Sequence, residues 1–106
     1  MKKIALSENG EKTGRFFDKD KASKYDEDTY WDGNNHISKV TGSQWSHETL
    51  YRTASGKWVL NCYSNYQGSV ETYEIINPAA ASRWFVKNEY DDIPNELKDE
   101  VTELEV

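Results

Sequence analysis

The sequence has a single cysteine, Cys62, among 106 residues. That scarcity excludes an internal disulfide and a zinc site of the CxxC type. An apolar run of membrane length is also missing, and Glu8, Asn9 and Gly10 end the short basic start too early for a signal peptide. A small chain with these properties is typical of a reducing cytosol, so we predict a cytoplasmic protein without a membrane partner.

Aliphatic residues are also scarce. Leu, Ile, Val and Phe together number 19, which is close to the level that indicates disorder. Four tryptophans and seven tyrosines offset this shortage, because each large ring can bury about 150–250 Å². We therefore expect one folded domain with a core rich in aromatic side chains.

The net charge of −6 is unevenly distributed along the chain. Residues 1–24 contain seven basic and four acidic side chains, whereas residues 89–106 contain eight acidic side chains and one lysine. Binding to nucleic acid requires Lys and Arg to neutralise phosphates, so the composition disfavours that partner without excluding it. We predict a single domain over residues 1–88 and a partly helical acidic C-terminal segment over residues 89–106.

Three segments have the composition of β-strands. Residues 48–53, 57–66 and 70–76 are rich in aromatic and β-branched side chains, and turn residues separate them at Ser55-Gly56 and Gln67-Gly68-Ser69. This pattern predicts a three-stranded antiparallel meander. A short N-terminal pair of strands is expected around Ile4 and Leu6 and over residues 13–17, joined by a turn at Asn9-Gly10.

The register of the meander depends on the turn at Ser55-Gly56. A two-residue turn would pair Tyr51 with Leu60 and Thr49 with Cys62, and a bulge at Gly56 would shift the pairing by one residue. With the two-residue turn, alternation predicts a buried face made of His47, Tyr51, Trp58, Leu60, Cys62, Tyr66, Tyr73 and Ile75. The exposed face would then carry Glu48, Leu50, Arg52, Val59, Asn61, Tyr63 and Asn65.

Two helices complete the predicted α+β fold. Asn77 and Pro78 form a typical helix start, and a helix over residues 78–87 would pack Ala81, Trp84 and Phe85 on one face of the sheet. A second, acidic helix is expected over residues 95–104, with an apolar row formed by Leu97, Val101 and Leu104. Residues 26–44 show neither the helical nor the strand period of apolar residues. We therefore predict an irregular loop, interrupted over residues 37–40.

Signals for catalysis and for metal binding are weak. His36 and His47 are eleven residues apart without a zinc-binding pattern, and the acids near residue 26 do not have the spacing of a calcium loop. Cys62 and His47 share the predicted buried face, but a structural role for both is the simpler interpretation. We predict no metal site and no cofactor.

Aromatic residues around the long loop are the most suggestive feature. Tyr30, Trp31 and Trp45 flank residues 32–44, and Asn34, Asn35 and His36 lie among them. Aromatic side chains mixed with Asn, Ser and Gly are typical of protein contact surfaces. The same residues could instead pack the loop onto the sheet, so both interpretations stay open.

Several segments resemble a family of small, uncharacterised bacterial proteins that are often encoded on mobile elements. The similar segments are Trp31-Asp-Gly-Asn-Asn-His-Ile-Ser38, Thr41-Gly-Ser-Gln-Trp45, Leu50-Tyr-Arg-Thr-Ala-Ser-Gly-Lys-Trp-Val-Leu60 and Gln67-Gly-Ser69. The resemblance covers about residues 3–88 and leaves the acidic segment outside. It implies a bacterial accessory protein and supplies no functional residue.

Three functional hypotheses follow from the sequence. The first is a non-catalytic, regulatory or inhibitory module that binds another protein, through Tyr30, Trp31, Asn34, Asn35, His36 and Trp45 and through Leu97, Val101 and Leu104. Its partner could carry a basic surface, or could be a second copy of the chain. The second is a nucleic-acid-binding regulator that uses the sheet or the basic N-terminal third. The third is a small hydrolase built on His36 or His47.

Overall fold

The computed structural model describes residues 2–64, 68 and 70–106, and shows a mixed α+β fold, as predicted. Within these residues the helices are α1 (Pro78–Lys87) and α2 (Lys98–Glu103), and short 3₁₀ turns span Lys19–Lys21 and Asn95–Leu97. The strands are β1 (Lys3–Glu8), β2 (Glu11–Asp18), β3 (Ser23–Asp26), β4 (Thr29–Trp31), β5 (His36–Ser38), β6 (Ser46–Arg52), β7 (Trp58–Ser64) and β8 (Thr72–Ile76).

The main sheet is larger than the sequence predicted. Its described part has six strands in the order β2-β1-β8-β7-β6-β3. β6, β7 and β8 pair antiparallel in succession, β1 lies parallel to β8, and β3 pairs antiparallel with β6. The N-terminal strands therefore extend the same sheet, because unpaired strand edges readily accept further strands.

The sheet is strongly curved. Only the segment between Asp18 and Ser23 joins its two outer strands, β2 and β3. The outer strands of a flat six-stranded sheet would lie roughly 24 Å apart. Five residues span at most about 18 Å. Accordingly, Phe17 of β2 reaches Tyr51 of β6 across the concave face, with 5.5 Å between the ring centroids.

The pairing of β6 with β7 differs from the prediction by one residue. Tyr51 lies opposite Val59, and the predicted pairing of Tyr51 with Leu60 is wrong. The cause is a three-residue turn, in which the N–H of Thr53 donates to the carbonyl of Lys57 at 2.9 Å. Gly56 has a φ of 86°, which is the backbone conformation that follows the type I turn of such a hairpin.

This shift exchanges the two faces of β6. Leu50 lies opposite Leu60 on the face that α1 covers, and Tyr51 lies opposite Val59 on the concave face. Leu50 and Val59, both predicted to be exposed, are fully buried at 0% exposure because the curved sheet is covered on both faces. Asn65, Tyr66 and two residues of the predicted turn, Gln67 and Ser69, lie outside the described residues.

Two hydrophobic cores result, one on each face of the sheet. Under α1 the buried residues are Leu50, Trp58, Ala81, Trp84, Phe85 and Leu97. On the concave face they are Leu6, Phe17, Tyr51 and Val59. α1 begins where the side chain of Asn77 accepts a hydrogen bond from the N–H of Ala80 at 2.8 Å. In the described part of the chain, no helix is long and apolar enough to cross a membrane.

The acidic C-terminal segment packs against the first core. Leu97 is 1% exposed, and Tyr90 and Ile93 contact the same cluster. The guanidinium of Arg52 holds the segment to the sheet through two nitrogen–oxygen contacts with the Glu96 carboxylate, at 2.5 and 2.7 Å. Leu97 is therefore a core residue of the folded chain.

Candidate functional site

Residues 29–38 form a two-stranded antiparallel hairpin, which we call the arm. The sequence predicted an irregular loop here, and the structure corrects this. Thr29 lies opposite Ser38, and Trp31 lies opposite His36. The turn is held by the Asp32 carboxylate, which accepts hydrogen bonds from the N–H groups of Asn35 at 2.7 Å and Asn34 at 2.8 Å. These hydrogen bonds lower the pKa of Asp32 below its ordinary value.

The base of the arm is fixed to the end of α1. Asn88 is 2% exposed, and its side-chain oxygen accepts a hydrogen bond from the N–H of Asp28 at 2.7 Å. Its amide nitrogen donates to the carbonyl of Trp84 at 2.9 Å, so one side chain joins the helix to the arm. The Lys39 ammonium adds contacts with the carboxylates of Asp28, at 2.8 Å, and Glu89. The hydrogen bond from Lys39 lowers the pKa of Asp28.

The tip of the arm presents aromatic side chains to solvent. Trp31 is 60% exposed and Tyr30 is 47% exposed. The rings of Trp31 and His36 meet edge to face, with 5.1 Å between centroids. Asn34 and Asn35 are exposed beside them at the turn. The structure therefore brings five of the predicted contact residues together on one small, fixed element.

Other predicted contact residues lie elsewhere. Trp45 is 42% exposed and lies outside the arm, on the turn that precedes β6, where the hydroxyl of Ser43 accepts from its N–H at 3.0 Å. The row of Leu97, Val101 and Leu104 is not one contact surface. Leu97 is buried, Val101 is half-buried, and Leu104 is 36% exposed. Because Leu97, just before α2, enters the core, only the end of that helix is left for a partner.

A second cluster of reactive residues lies at the start of β6. The Nδ1 atom of His47 is 2.9 Å from an oxygen of Glu27, whose side chain is 8% exposed. The second oxygen of Glu27 accepts from the N–H of Glu48. His47 lines a cleft of about 380 Å³ with Ser46, Glu48 and Ser64 among its other lining residues. A carboxylate that holds an imidazole in this way is the arrangement of a general base.

Cys62 lines the same cleft, but it is not placed to serve His47 as a nucleophile. Glu48 lies opposite Cys62, so His47 and Cys62 project from opposite faces of the sheet. Their predicted common face is therefore wrong. Burial raises the pKa of the Cys62 thiol to about 11, and the Glu48 carboxylate, 3.7 Å from the sulfur, adds to the effect. A thiol with that pKa stays protonated and unreactive at neutral pH.

The remaining titratable group of interest is Glu48 itself. Its carboxyl is on the helix-covered face, where burial raises its pKa above the ordinary value. The neighbouring Glu27 carboxylate adds to that shift, and contacts with Cys62 and Trp84 oppose it. Among the residues that the structure describes, no group of three His, Cys, Asp or Glu side chains could hold a metal ion.

The nucleic-acid hypothesis uses the sheet or the basic N-terminal third of the chain. Each face of the sheet carries a hydrophobic core, and Arg52, a cation predicted on the exposed face, contacts Glu96. Comparison of the chain with models of known families, with curated proteins and with solved structures finds no match. The resemblance to small bacterial proteins therefore stays a prediction.

Proposed function

We propose that the chain is a cytoplasmic, non-catalytic module that binds another protein through the tip of the arm. One observation carries the proposal: Trp31 is 60% exposed although it stands on a hydrogen-bonded hairpin that is anchored to the core. In this chain most large rings are needed for the core, so an ordered tryptophan left in solvent is a candidate for a contact outside the molecule. Tryptophan and tyrosine are the residues most enriched among the energetic centres of protein interfaces.

The rigidity of the arm supports this function. Binding through a flexible loop would have to order the loop, at about 1–2 kcal/mol for each residue backbone. Asp32 fixes the turn, and Asn88 fixes the base, before any partner arrives. Most of the ordering cost is therefore met during folding, which favours affinity.

The chemistry around Trp31 also fits a protein interface. A typical interface has an apolar centre with a polar rim that supplies hydrogen bonds. Here Trp31 provides the apolar area, with the His36 ring beside it, and Asn34 and Asn35 provide donors and acceptors at the turn. Tyr30, on the opposite face of the strand, adds a second exposed ring. The resemblance to accessory proteins of mobile elements favours a regulatory or inhibitory role toward that partner.

The experiment compares three versions of the full chain in paired pull-downs from the source cell, with and without added nuclease. The wild type is compared with Trp31→Ala and with the matched control Phe16→Ala, which removes another exposed ring, 54% exposed, from β2. We expect a protein retained by the wild type and by Phe16→Ala to be lost with Trp31→Ala. Equal retention by all three, or a retained species that disappears with nuclease, would contradict the proposal.

The Glu27–His47 pair favours a second candidate, a hydrolytic activity. The specific observation is the 2.9 Å contact that orients His47 in a cleft beside Ser46 and Ser64. Activated esters and phosphodiesters test this candidate with His47→Asn and the matched control His36→Asn. A turnover that only His47→Asn abolishes would establish the activity, and no turnover by the wild type would remove this candidate.

A further inference from the structure

The arm has a charged neighbour that comes from the other end of the chain. Residues 89–92 follow α1 directly and run beside the base of the arm. The hydroxyl of Tyr90 donates to the carbonyl of Asp26 at 2.6 Å, and Lys39 joins Glu89 to Asp28. Segments about sixty residues apart in sequence therefore form one continuous region, which we call the arm face: residues 26–39 and 89–92.

The arm face is strongly negative. It contains seven carboxylates, namely Asp26, Glu27, Asp28, Asp32, Glu89, Asp91 and Asp92, and one lysine, Lys39. Glu27 contacts His47, and Lys39 contacts Asp28 and Glu89. Lys24, just outside this region, lies 3.6 Å from the Asp26 carboxylate. Asp32, Asp91 and Asp92 are exposed. Hydrogen bonds lower the pKa values of Asp28 and Asp32, which favours their charged forms.

The negative charge restricts what can cover the exposed aromatic rings. A phosphate backbone would be repelled, since it binds through lysine and arginine. An acidic protein surface would be repelled as well, because like charges brought together at an interface oppose association. The partner surface that complements the arm face in charge and polarity is one in which lysine or arginine side chains surround an apolar recess.

We propose that the arm face binds a basic protein surface, with Trp31 entering an apolar recess and the exposed carboxylates of Asp91 and Asp92, beside the base of the arm, contacting lysines or arginines of the same partner. This inference rests on the proposed function and names its partner class. The acids speed the encounter and select the partner, while the aromatic rings supply most of the affinity.

The test uses a random peptide library displayed on phage and selected on the immobilised full chain. Selected peptides are then synthesised, and their binding is measured at low and high salt. We expect sequences that combine Lys or Arg with aromatic or aliphatic residues. Trp31→Ala should weaken their binding more than tenfold, in the range of an interface hot spot. The double variant Asp91→Asn with Asp92→Asn should weaken it about three- to tenfold at low salt, and less at high salt.

The matched control is Asp99→Asn with Glu103→Gln, which removes the same charge from exposed positions on α2. Its binding should stay within about twofold of the wild type, because at most exposed positions such charges contribute little. Equal weakening by both double variants, or selected peptides without basic residues, would overturn this inference and leave the proposed function standing if Trp31 still matters. Peptide binding that ignores Trp31, or binding of a labelled duplex oligonucleotide through Trp31, would overturn both.

Discussion

Asn88 joins two regions, the core under α1 and the arm, which both contain large aromatic side chains. The rings are buried in the core and exposed on the arm. On the helix side, Phe85 is fully buried and its ring meets those of Tyr25, Trp58 and Tyr90 at centroid distances of 5.0, 5.7 and 5.1 Å. On the arm side, the ring of Trp31 contacts that of His36 and remains 60% exposed. Aromatic content alone therefore does not separate core from contact surface. The separation comes from whether a second element covers the ring.

The two regions also differ in what holds them together. The core under α1 is stabilised by apolar packing among aromatic and aliphatic side chains. The arm is held by polar contacts at its turn and base, centred on Asp32, Lys39 and Asn88. Changes on the two sides should consequently affect different measurements: unfolding for the core, and local order or binding for the arm.

The largest effect is expected in the core. Trp84→Ala should lower the free energy of unfolding by about 3–5 kcal/mol, because it removes a large buried ring that packs on Phe85 at 5.5 Å. Denaturant unfolding followed by circular dichroism measures this. An unchanged midpoint would show that the helix does not pack as described, and would remove the contrast with the arm.

Leu97→Ala tests whether the acidic segment belongs to the core side. Leu97 is 1% exposed, and we expect a loss of about 2–5 kcal/mol in the free energy of unfolding. The matched control is Leu104→Ala, at a position that is 36% exposed, where the loss should be small. Equal, small losses for both variants would show that the segment is held only loosely.

Asn88→Ala targets the link between the two regions. It leaves the N–H of Asp28 without its hydrogen bond, which should cost about 1–3 kcal/mol. The carbonyl of Trp84 loses the side-chain donor but keeps the hydrogen bond from the backbone N–H of residue 88. Amide exchange should accelerate in residues 28–39 more than in β7. Uniform acceleration throughout the chain would mean that the arm and the core unfold as one unit.

Glu48→Gln should produce a smaller change of opposite sign. The pKa of Glu48 is raised in the folded chain by burial, so folding stability falls as pH rises from the ordinary carboxyl range through that raised pKa. At neutral pH the variant should be more stable than the wild type, and the difference should vanish under acid conditions. Glu103→Gln, on exposed α2, serves as the control. A variant that is less stable at neutral pH would show that the Glu48 charge is compensated.

Part of the fold could be predicted from local patterns. The strand composition of residues 48–76 and the Asn77-Pro78 helix start were sufficient for the central strands and α1. The register between β6 and β7 could not be predicted, because Gly56 is compatible with both two-residue and three-residue turns. A difference of one residue then exchanges Leu50 and Tyr51 between the two faces.

The arm and the docked C-terminal segment had weaker signals. Strands of three residues are too short to show a period of two, and only Asp32-Gly33 indicated the turn. The burial of Leu97 depends on contacts such as Arg52–Glu96, which join residues 44 positions apart. The composition around Trp31 fits a packed loop and an exposed hairpin equally well, so only the arrangement in space distinguishes them.

The most direct test measures stability and binding on the same Trp31→Ala protein. If the arm holds Trp31 for a partner, the midpoint of denaturant unfolding should stay within the equivalent of about 0.5 kcal/mol of the wild type, as for other exposed side chains. The partner retained by the wild type should be lost. A loss of stability of about 2 kcal/mol or more would instead show that the ring belongs to the core, and would contradict the account.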